Sequence, residues 1–435
     1  MTTALLVSRI FPINDQVTHT GAMHRLGTQV EALARVVDRI DCLFLTPVKV
    51  DIGPEHVRAH EVRLQRRWTA KLSLTMAQVR SVPATTRWQL YGPGILDFYS
   101  QQTLPAHACS SDIISGAPFE AVRNALRAGP DLICAHRLGV MGLLMKLSRD
   151  IGRTPVFFDL DDIEHVSLWR RLLRDPDWPM ERVQLLHIPS LLLAEIQALR
   201  RAHLTFVCSE QDRRYLRRLA GSTRVEVVMN SMHFPQRVRE GATEPVVLFV
   251  GFLGYPPNAS AAEVLVRDIW PKVRRRVPNA RLIIAGMRPE LVRSYPPTDP
   301  SVTFTGFVED LAELYAQARV VCCPILRGAG TRLKIIEAAA HARAIVSTTL
   351  GAEGLTFENG RDIILRDGVA ALADECVHLL RDPAAAEQLG LAAREKARVT
   401  YERGAVVAQL ERLFRAGLRP ARASRPAGGS AAQKT

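Results

Sequence analysis

Cysteine is scarce in this chain. There are seven in 435 residues, an odd number, and no two form a Cys-x-x-Cys pair. That pattern fits neither a disulfide framework nor a structural zinc site. Cys42, Cys134, Cys208, Cys322 and Cys323 fall in apolar, strand-like runs, where a thiol behaves as a small hydrophobe. Aromatic residues are also few, at 6%. No apolar run reaches the roughly 18 to 20 residues of a membrane-spanning helix. The opening residues, MTTALLVSRIFP, have no basic stretch ahead of an apolar one, so no signal peptide is expected and the expected compartment is the cytosol. No Gly-x-Gly-x-x-Gly follows a strand, which argues against a dinucleotide-dependent oxidoreductase.

Acidic residues are in deficit, leaving a formal net charge of +13. Such a balance attracts nucleic acid, an anionic membrane surface or anionic small molecules. No nucleic-acid motif is present, and the arginines are spread over many segments. One cluster, Arg63, Arg66, Arg67 and Lys71 around Trp68, is either a solvated face or a patch for peripheral contact with the anionic inner membrane surface.

The length calls for two domains of about two hundred residues each. Short apolar strands alternate with helical stretches, the pattern of parallel α/β sheets. In the first half the expected strands are Ala4–Val7, Asp41–Leu45, Asp131–Ala135, Pro155–Asp159, Leu204–Cys208 and Val225–Val228. Residues 50–115 show weak periodicity and are expected to be an irregular insertion. A polar stretch over 231–244 serves as linker. A second series begins at Val246–Val250, and Pro271 must kink or split its first helix. The expected division is 1–235, 236–400, a C-terminal helix over 401–418, and a disordered tail over 419–435.

The most informative stretch is Val320–Leu355, VVCCPILRGAGTRLKIIEAAAHARAIVSTTLGAEGL. A strand runs through a Pro/Gly/Arg loop into a helix carrying Arg332, Lys334 and Glu337, and a second strand follows. Free backbone N–H groups at a helix N-terminus beside two cations suit a phosphate. A carboxylate one turn further suits vicinal hydroxyls. The competing reading of Glu337 is a helix-surface pair with Lys334. Glu353, in a Gly-x-Glu-Gly turn, is either a local cap or a donor contact. Gly21 is either a helix cap or a point of close backbone approach, and Arg25 is a further phosphate candidate. His136 ends a strand and faces the expected cleft, unless it is a satisfied structural histidine.

Several segments in order resemble the retaining family-4 glycosyltransferases of GT-B fold. VVLFVGFLGYPPN (246–258), NARLIIAGMRPE (279–290), VTFTGFVEDLAELYAQARVVCCP (302–324) and GAGTRLKIIEAAAHARAIVSTTLGAEGL (328–355) resemble the donor domain. FDLDDIEH (158–165), VCSEQDRRYLRR (207–218) and VVMNS (227–231) resemble the acceptor domain. The resemblance implies two Rossmann-like domains facing across a cleft, closed by a C-terminal helix. It also implies a bacterial sugar transferase of polysaccharide or glycoconjugate biosynthesis, moving a hexosyl group from a nucleotide-diphosphate sugar to a glycan or lipid-linked acceptor. The nucleotide-sugar is a co-substrate; no cofactor and no metal are expected, although Asp159, Asp161 and Asp162 could suggest one.

The resemblance places Gly21, Gly251, Arg327, Gly330, Thr331, Glu337 and Glu353 around the donor. His136, Arg332 and Lys334 are the candidate catalytic residues, and Asp161 or Asp162 is the candidate partner of the acceptor hydroxyl. Two departures stand out. The family's first donor-motif glutamate corresponds to Ala329, and the loop Phe252–Asn258 lacks the usual cation, leaving Arg327, Arg332 and Lys334 to supply the charge. Two other functions fit less well: a catalytically inactive sugar-nucleotide-binding scaffold, and a GT-B sugar-nucleotide epimerase.

Overall fold

The strands form two wholly parallel sheets in the computed structural model, which describes residues 1–10, 21–47, 54–65, 70–79, 116–174, 185, 187–221, 224–238, 244–328 and 330–418. The first sheet contains β1 (Thr3–Ser8), β2 (Arg39–Pro47), β3 (Lys71–Val79), β4 (Leu132–His136), β5 (Val156–Asp161), β6 (Leu204–Val207) and β7 (Val225–Val227). Their order is β3-β2-β1-β4-β5-β6-β7. The second contains β8 (Val246–Val250), β9 (Arg281–Ala285), β10 (Val302–Gly306), β11 (Val320–Cys323), β12 (Ala344–Ser347) and β13 (Ile364–Leu365), in the order β10-β9-β8-β11-β12-β13. Strands such as VVLFV and VVCC are buried along their whole length, because helices cover both faces of each sheet.

Each sheet reverses its winding once, between β1 and β4 and between β8 and β11. The carboxyl ends of strands at such a switch point form a crevice. His136 ends β4, and Gly251 follows β8, so each of these candidate residues stands at a switch point.

The expected irregular insertion is corrected in part. A helix spans Pro54–Gln65, and β3 adds an edge strand to β2. Leu72 and Leu74 are buried and Lys71 and Thr75 exposed, as alternation requires, but Ala77, on the phase of Lys71 and Thr75, is buried too. The helix Glu164–Arg174 is likewise absent from the sequence reading. The side chains of Arg63, Arg66, Arg67 and Trp68, together with Ala329 and the expected tail 419–435, lie outside the described residues. Ahead of Pro271 the helix opens into a π-turn, Leu265–Ile269, between Pro256–Val264 and Trp270–Arg276. The proline has no N–H to give an i−4 carbonyl, and the wider turn absorbs that loss. The cysteines expected to be buried are buried, and Cys376 joins them.

The chain crosses between the domains twice, at neighbouring points. The Met232 N–H donates to the Tyr401 carbonyl (2.8 Å), and the Arg403 N–H donates to the Met232 carbonyl (3.0 Å). The last helix, Arg403–Leu418, then packs on the first domain. Phe414 meets Phe157 edge-on at 4.9 Å and Phe206 at 5.9 Å. Arg403 pairs with Glu31 at 2.7 Å.

Candidate functional site

One wall of the candidate site is built around the helix Leu333–Ala340 of the second domain. The loop before it turns at Gly330, whose φ of 78° is left-handed and accessible to glycine at little cost. Arg332 occupies the N-cap position with no side-chain cap bond. Its guanidinium donates to the Gly330 carbonyl at 2.6 Å. Lys334 does not pair with Glu337, as a helix-surface reading would have it. Its Nζ donates to the Asn258 Oδ1 at 2.7 Å and lies 4.3 Å above the Phe249 ring. Burial lowers the Lys334 ammonium to about 8.

Gly251 is where this arrangement needs the absence of a side chain. A Cβ there would sit 2.6 Å from the Lys334 Nζ. The Asn258 amide is held in turn by donating to the Phe252 carbonyl at 2.9 Å. Glu337, one turn into the helix, accepts from the Tyr315 hydroxyl at 3.1 Å, and burial pushes its carboxyl up to about 7. Tyr315 is fixed by stacking on His341, with centroids 4.6 Å apart. Arg327 is partly buried in the loop after β11.

The opposite wall comes from the first domain. Gly21 opens the helix Gly21–Ala34, and a Cβ on it would lie 3.4 Å from the Leu333 side chain, across the gap. The Asn230 amide donates to the Thr331 hydroxyl at 2.5 Å, tying the first domain to the donor loop. Arg170 forks onto both oxygens of Glu353 at 2.5 and 2.9 Å. Glu353 is therefore an interdomain ion-pair partner, which neither sequence reading of it foresaw.

His136 is buried, and its Nδ1 lies 2.9 Å from the Ser8 hydroxyl. Its Nε2 has no hydrogen-bond partner among the described residues. Burial lowers its pKa, so the ring is neutral at pH 7 and Nε2 is left for a ligand. Next to it the backbone is strained. Arg137 (φ 71°) and Asp161 (φ 60°) are both left-handed, and the Arg137 guanidinium donates to Asp161 at 2.7 Å. Such conformations cost about 1 to 3 kcal/mol each and collect at functional sites.

The three aspartates are separated by their partners. Asp159 is buried against Arg25 at 2.5 to 2.8 Å. Arg25 also donates to the Val228 carbonyl at 2.8 Å. This corrects the reading of Arg25 as a phosphate ligand: its guanidinium is consumed inside the first domain. Burial alone would raise the Asp161 carboxyl, but Arg137 and Arg25 outweigh it and hold it low. Asp162 accepts from the Ser167 hydroxyl at 2.7 Å, and burial pushes it up to about 6. Asp162 faces the donor loop, since a Cβ on Gly330 would lie 3.9 Å from its carboxylate. Among the described residues no group of three His, Cys, Asp or Glu side chains is placed to hold a metal.

Asn230, Asn258, Tyr315 and Arg170 are the site residues that sequence reasoning missed. Three of them are neutral, and Arg170 is one of many arginines.

Residues 244–382 match the family described as glycosyl transferases group 1. The fold is GT-B, as the structural likenesses show. It is similar to a sucrose-phosphate synthase from Thermosynechococcus elongatus, with a TM-score of 0.65 at 19% identity over 98% of this chain and 100% of that one. It is also similar to Anabaena HepE, solved with UDP and glucose, with a TM-score of 0.63 at 14% identity over 96% and 100%. The pneumococcal O-GlcNAc transferase GtfA, in complex with UDP and GlcNAc, gives 0.62 at 9% identity over 96% and 99%. A Klebsiella pneumoniae protein, described as an uncharacterized 44.6 kDa protein in the cps region, is 26% identical over 140 residues. The match covers 30% of this chain and 36% of that relative.

Proposed function

We propose that this protein is a hexosyltransferase that moves a sugar from a nucleotide-diphosphate sugar to a glycan or lipid-linked acceptor, with retention of anomeric configuration. The reading rests on one observation. The amino end of the helix Leu333–Ala340, with Arg332 and Lys334, opens on the interdomain gap opposite Gly21 and Asn230. A diphosphate held there would meet two cations and a helix dipole as charge builds on the leaving group. No metal is needed for that neutralisation in this proposal. Glu337 lies one turn into that helix and would accept from the sugar hydroxyls. His136 would present Nε2 to a donor or acceptor hydroxyl from the other wall. The UDP complexes of the structural relatives and the position of the Klebsiella relative in a cps region support the same reading.

A thermal-shift screen against nucleoside diphosphates tests binding, and a panel of sugar nucleotides then tests transfer. Stabilisation by none of the diphosphates would reject the proposal. Binding without turnover of any sugar nucleotide would favour a non-catalytic scaffold instead.

A further inference from the structure

The helices Glu164–Arg174 and Glu210–Ala220 enclose a cavity of about 330 Å³ in the first domain. Gln211 lines it and also lines a second cavity of about 530 Å³, whose other walls include Ile325, Thr348 and Glu353 of the second domain. The first cavity therefore opens beside the interdomain gap. Ile163 and Val166 give it apolar lining, and Arg170, Arg214 and Arg218 bring three guanidinium groups to it. The one carboxylate in its lining, Asp212, is engaged by the Ser209 hydroxyl at 2.6 Å. Arg214 is 3.5 Å from Glu210, Arg170 holds Glu353, and Arg218 has no ion-pair partner among the described residues.

Tyr215 also lines the cavity, and it is unusually well supported for a residue 40% exposed. Its hydroxyl lies 2.7 Å from the His165 Nε2. The His165 Nδ1 is bonded in turn to Glu195, which is fully buried. Glu195 also accepts from the Glu164 N–H at 2.7 Å. A buried carboxylate and a buried imidazole thus fix one hydroxyl at the cavity wall, the kind of support that orients a ligand contact. Trp169 and Leu173 lie four apart on the same helix, Glu164–Arg174, and are 47% and 62% exposed. Two guanidinium groups, Arg214 and Arg218, beside the apolar Ile163 and Val166 match a phosphate group on a hydrocarbon chain.

We infer that this cavity binds the phosphate headgroup of a lipid-linked acceptor, through Arg214, Arg218 and the Tyr215 hydroxyl, with Ile163 and Val166 against the start of the lipid chain. The inference deepens the glycosyl-transfer reading and rests on it.

The full chain, saturated with a nucleoside diphosphate that binds it, is titrated calorimetrically with farnesyl diphosphate. Inorganic pyrophosphate and farnesol are titrated separately. Farnesyl diphosphate is expected to bind more tightly than either. Arg214→Gln combined with Arg218→Gln should weaken it by about tenfold or more while leaving nucleoside diphosphate affinity unchanged. Both side chains are exposed, so the fold is retained, and a thermal melt checks it. Tyr215→Phe should give a smaller loss. Unchanged binding in the double variant, or no binding of farnesyl diphosphate, would overturn the inference and leave donor binding standing. Pyrophosphate binding as tightly as farnesyl diphosphate would overturn the lipid assignment. If no nucleoside diphosphate binds, the parent reading fails by itself, and the same titration on the unliganded chain still decides the cavity.

Discussion

The Asn230 amide and the Thr331 hydroxyl, 101 residues apart, meet at 2.5 Å across the gap between the domains. The bond holds the glycine loop of the second domain against the last segment of the first. Thr331→Val keeps the shape and removes the acceptor. It should cost about 1 kcal/mol in donor-site order, roughly fivefold in KM for the nucleotide-sugar, with kcat little changed. A fall in kcat with KM unmoved would show that Thr331 acts on the reaction rather than on closure.

Lys334 makes donor binding depend on pH. Its ammonium is lowered to about 8 in the unliganded protein, because burial disfavours the charge. A bound diphosphate favours the charged form and raises that pKa, so binding takes up a proton above pH 8. Affinity should therefore be level below about pH 7.5 and fall as pH rises through 8, by up to about tenfold per unit. Calorimetry in buffers of different ionisation enthalpy measures the proton directly. Lys334→Met should bind far more weakly and show a flat profile; a wild-type slope in that variant would remove Lys334 from the site.

Glu337 carries the opposite consequence for stability. Its carboxyl is pushed up to about 7 in the folded chain, against an ordinary value of 4.5, because burial disfavours the ionised form. The folded state favours the protonated form, so the contribution is fully present below about pH 4.5 and is lost as pH rises through 7. Glu337→Gln removes that ionisation and keeps an acceptor for Tyr315. The variant should match wild type near pH 4.5 and exceed it at pH 8, by on the order of 1 to 3 kcal/mol in urea unfolding. It should also lose at least about tenfold in kcat/KM, through weaker acceptance of the sugar hydroxyls. Equal stability at both pH values would mean that the carboxyl is solvated, and full activity would remove it from the donor site.

Much of the second domain is legible in the residues. VVLFV, VVCC and AIVS are apolar throughout, because helices bury both faces of a parallel sheet, and their boundaries coincide with β8, β11 and β12. The edge strand β3 is harder to find. Its alternation holds only over residues 71–75, since the buried Ala77 falls out of phase, and it sits among proline, glycine and tryptophan. Charged residues announce Lys334 and Glu337, but they announce Arg25 equally, and only tertiary structure shows Arg25 spent on Asp159. Asn230 and Asn258 orient the cationic site through neutral amides, which leave no charge pattern in a sequence. Strain at Arg137 and Asp161 is invisible without backbone angles.

The glycine after β8 yields a geometric prediction. In Gly251→Ala the new methyl would lie 2.6 Å from the Lys334 Nζ and 3.0 Å from the Asn258 Nδ2. One of the two must move, which breaks their 2.7 Å bond. Lys334 is the flexible partner and should be displaced from the gap. Donor affinity should fall by about tenfold or more, while the melting temperature drops only modestly, since the shift is absorbed at a side-chain end. A large stability loss with donor affinity intact would place the strain in the sheet instead.

Phe414 offers a test of how the last helix is used. It is fully buried, follows the second domain in sequence, and packs on Phe157 of β5 and Phe206 of β6 in the first. Phe414→Ala leaves a cavity against that sheet and should cost about 3 to 5 kcal/mol. The loss should be local, because no Phe414 contact reaches β8 or β11 among the described residues. Amide hydrogen exchange is then expected to quicken in β5 and β6 and stay unchanged in β8 and β11. Donor binding should survive where the first domain remains folded, since Lys334 and Glu337 are held by Asn258 and Tyr315 of their own domain. Uniform acceleration across both sheets would mean that the two domains unfold as one unit, and that the returning helix couples them rather than serving the first alone.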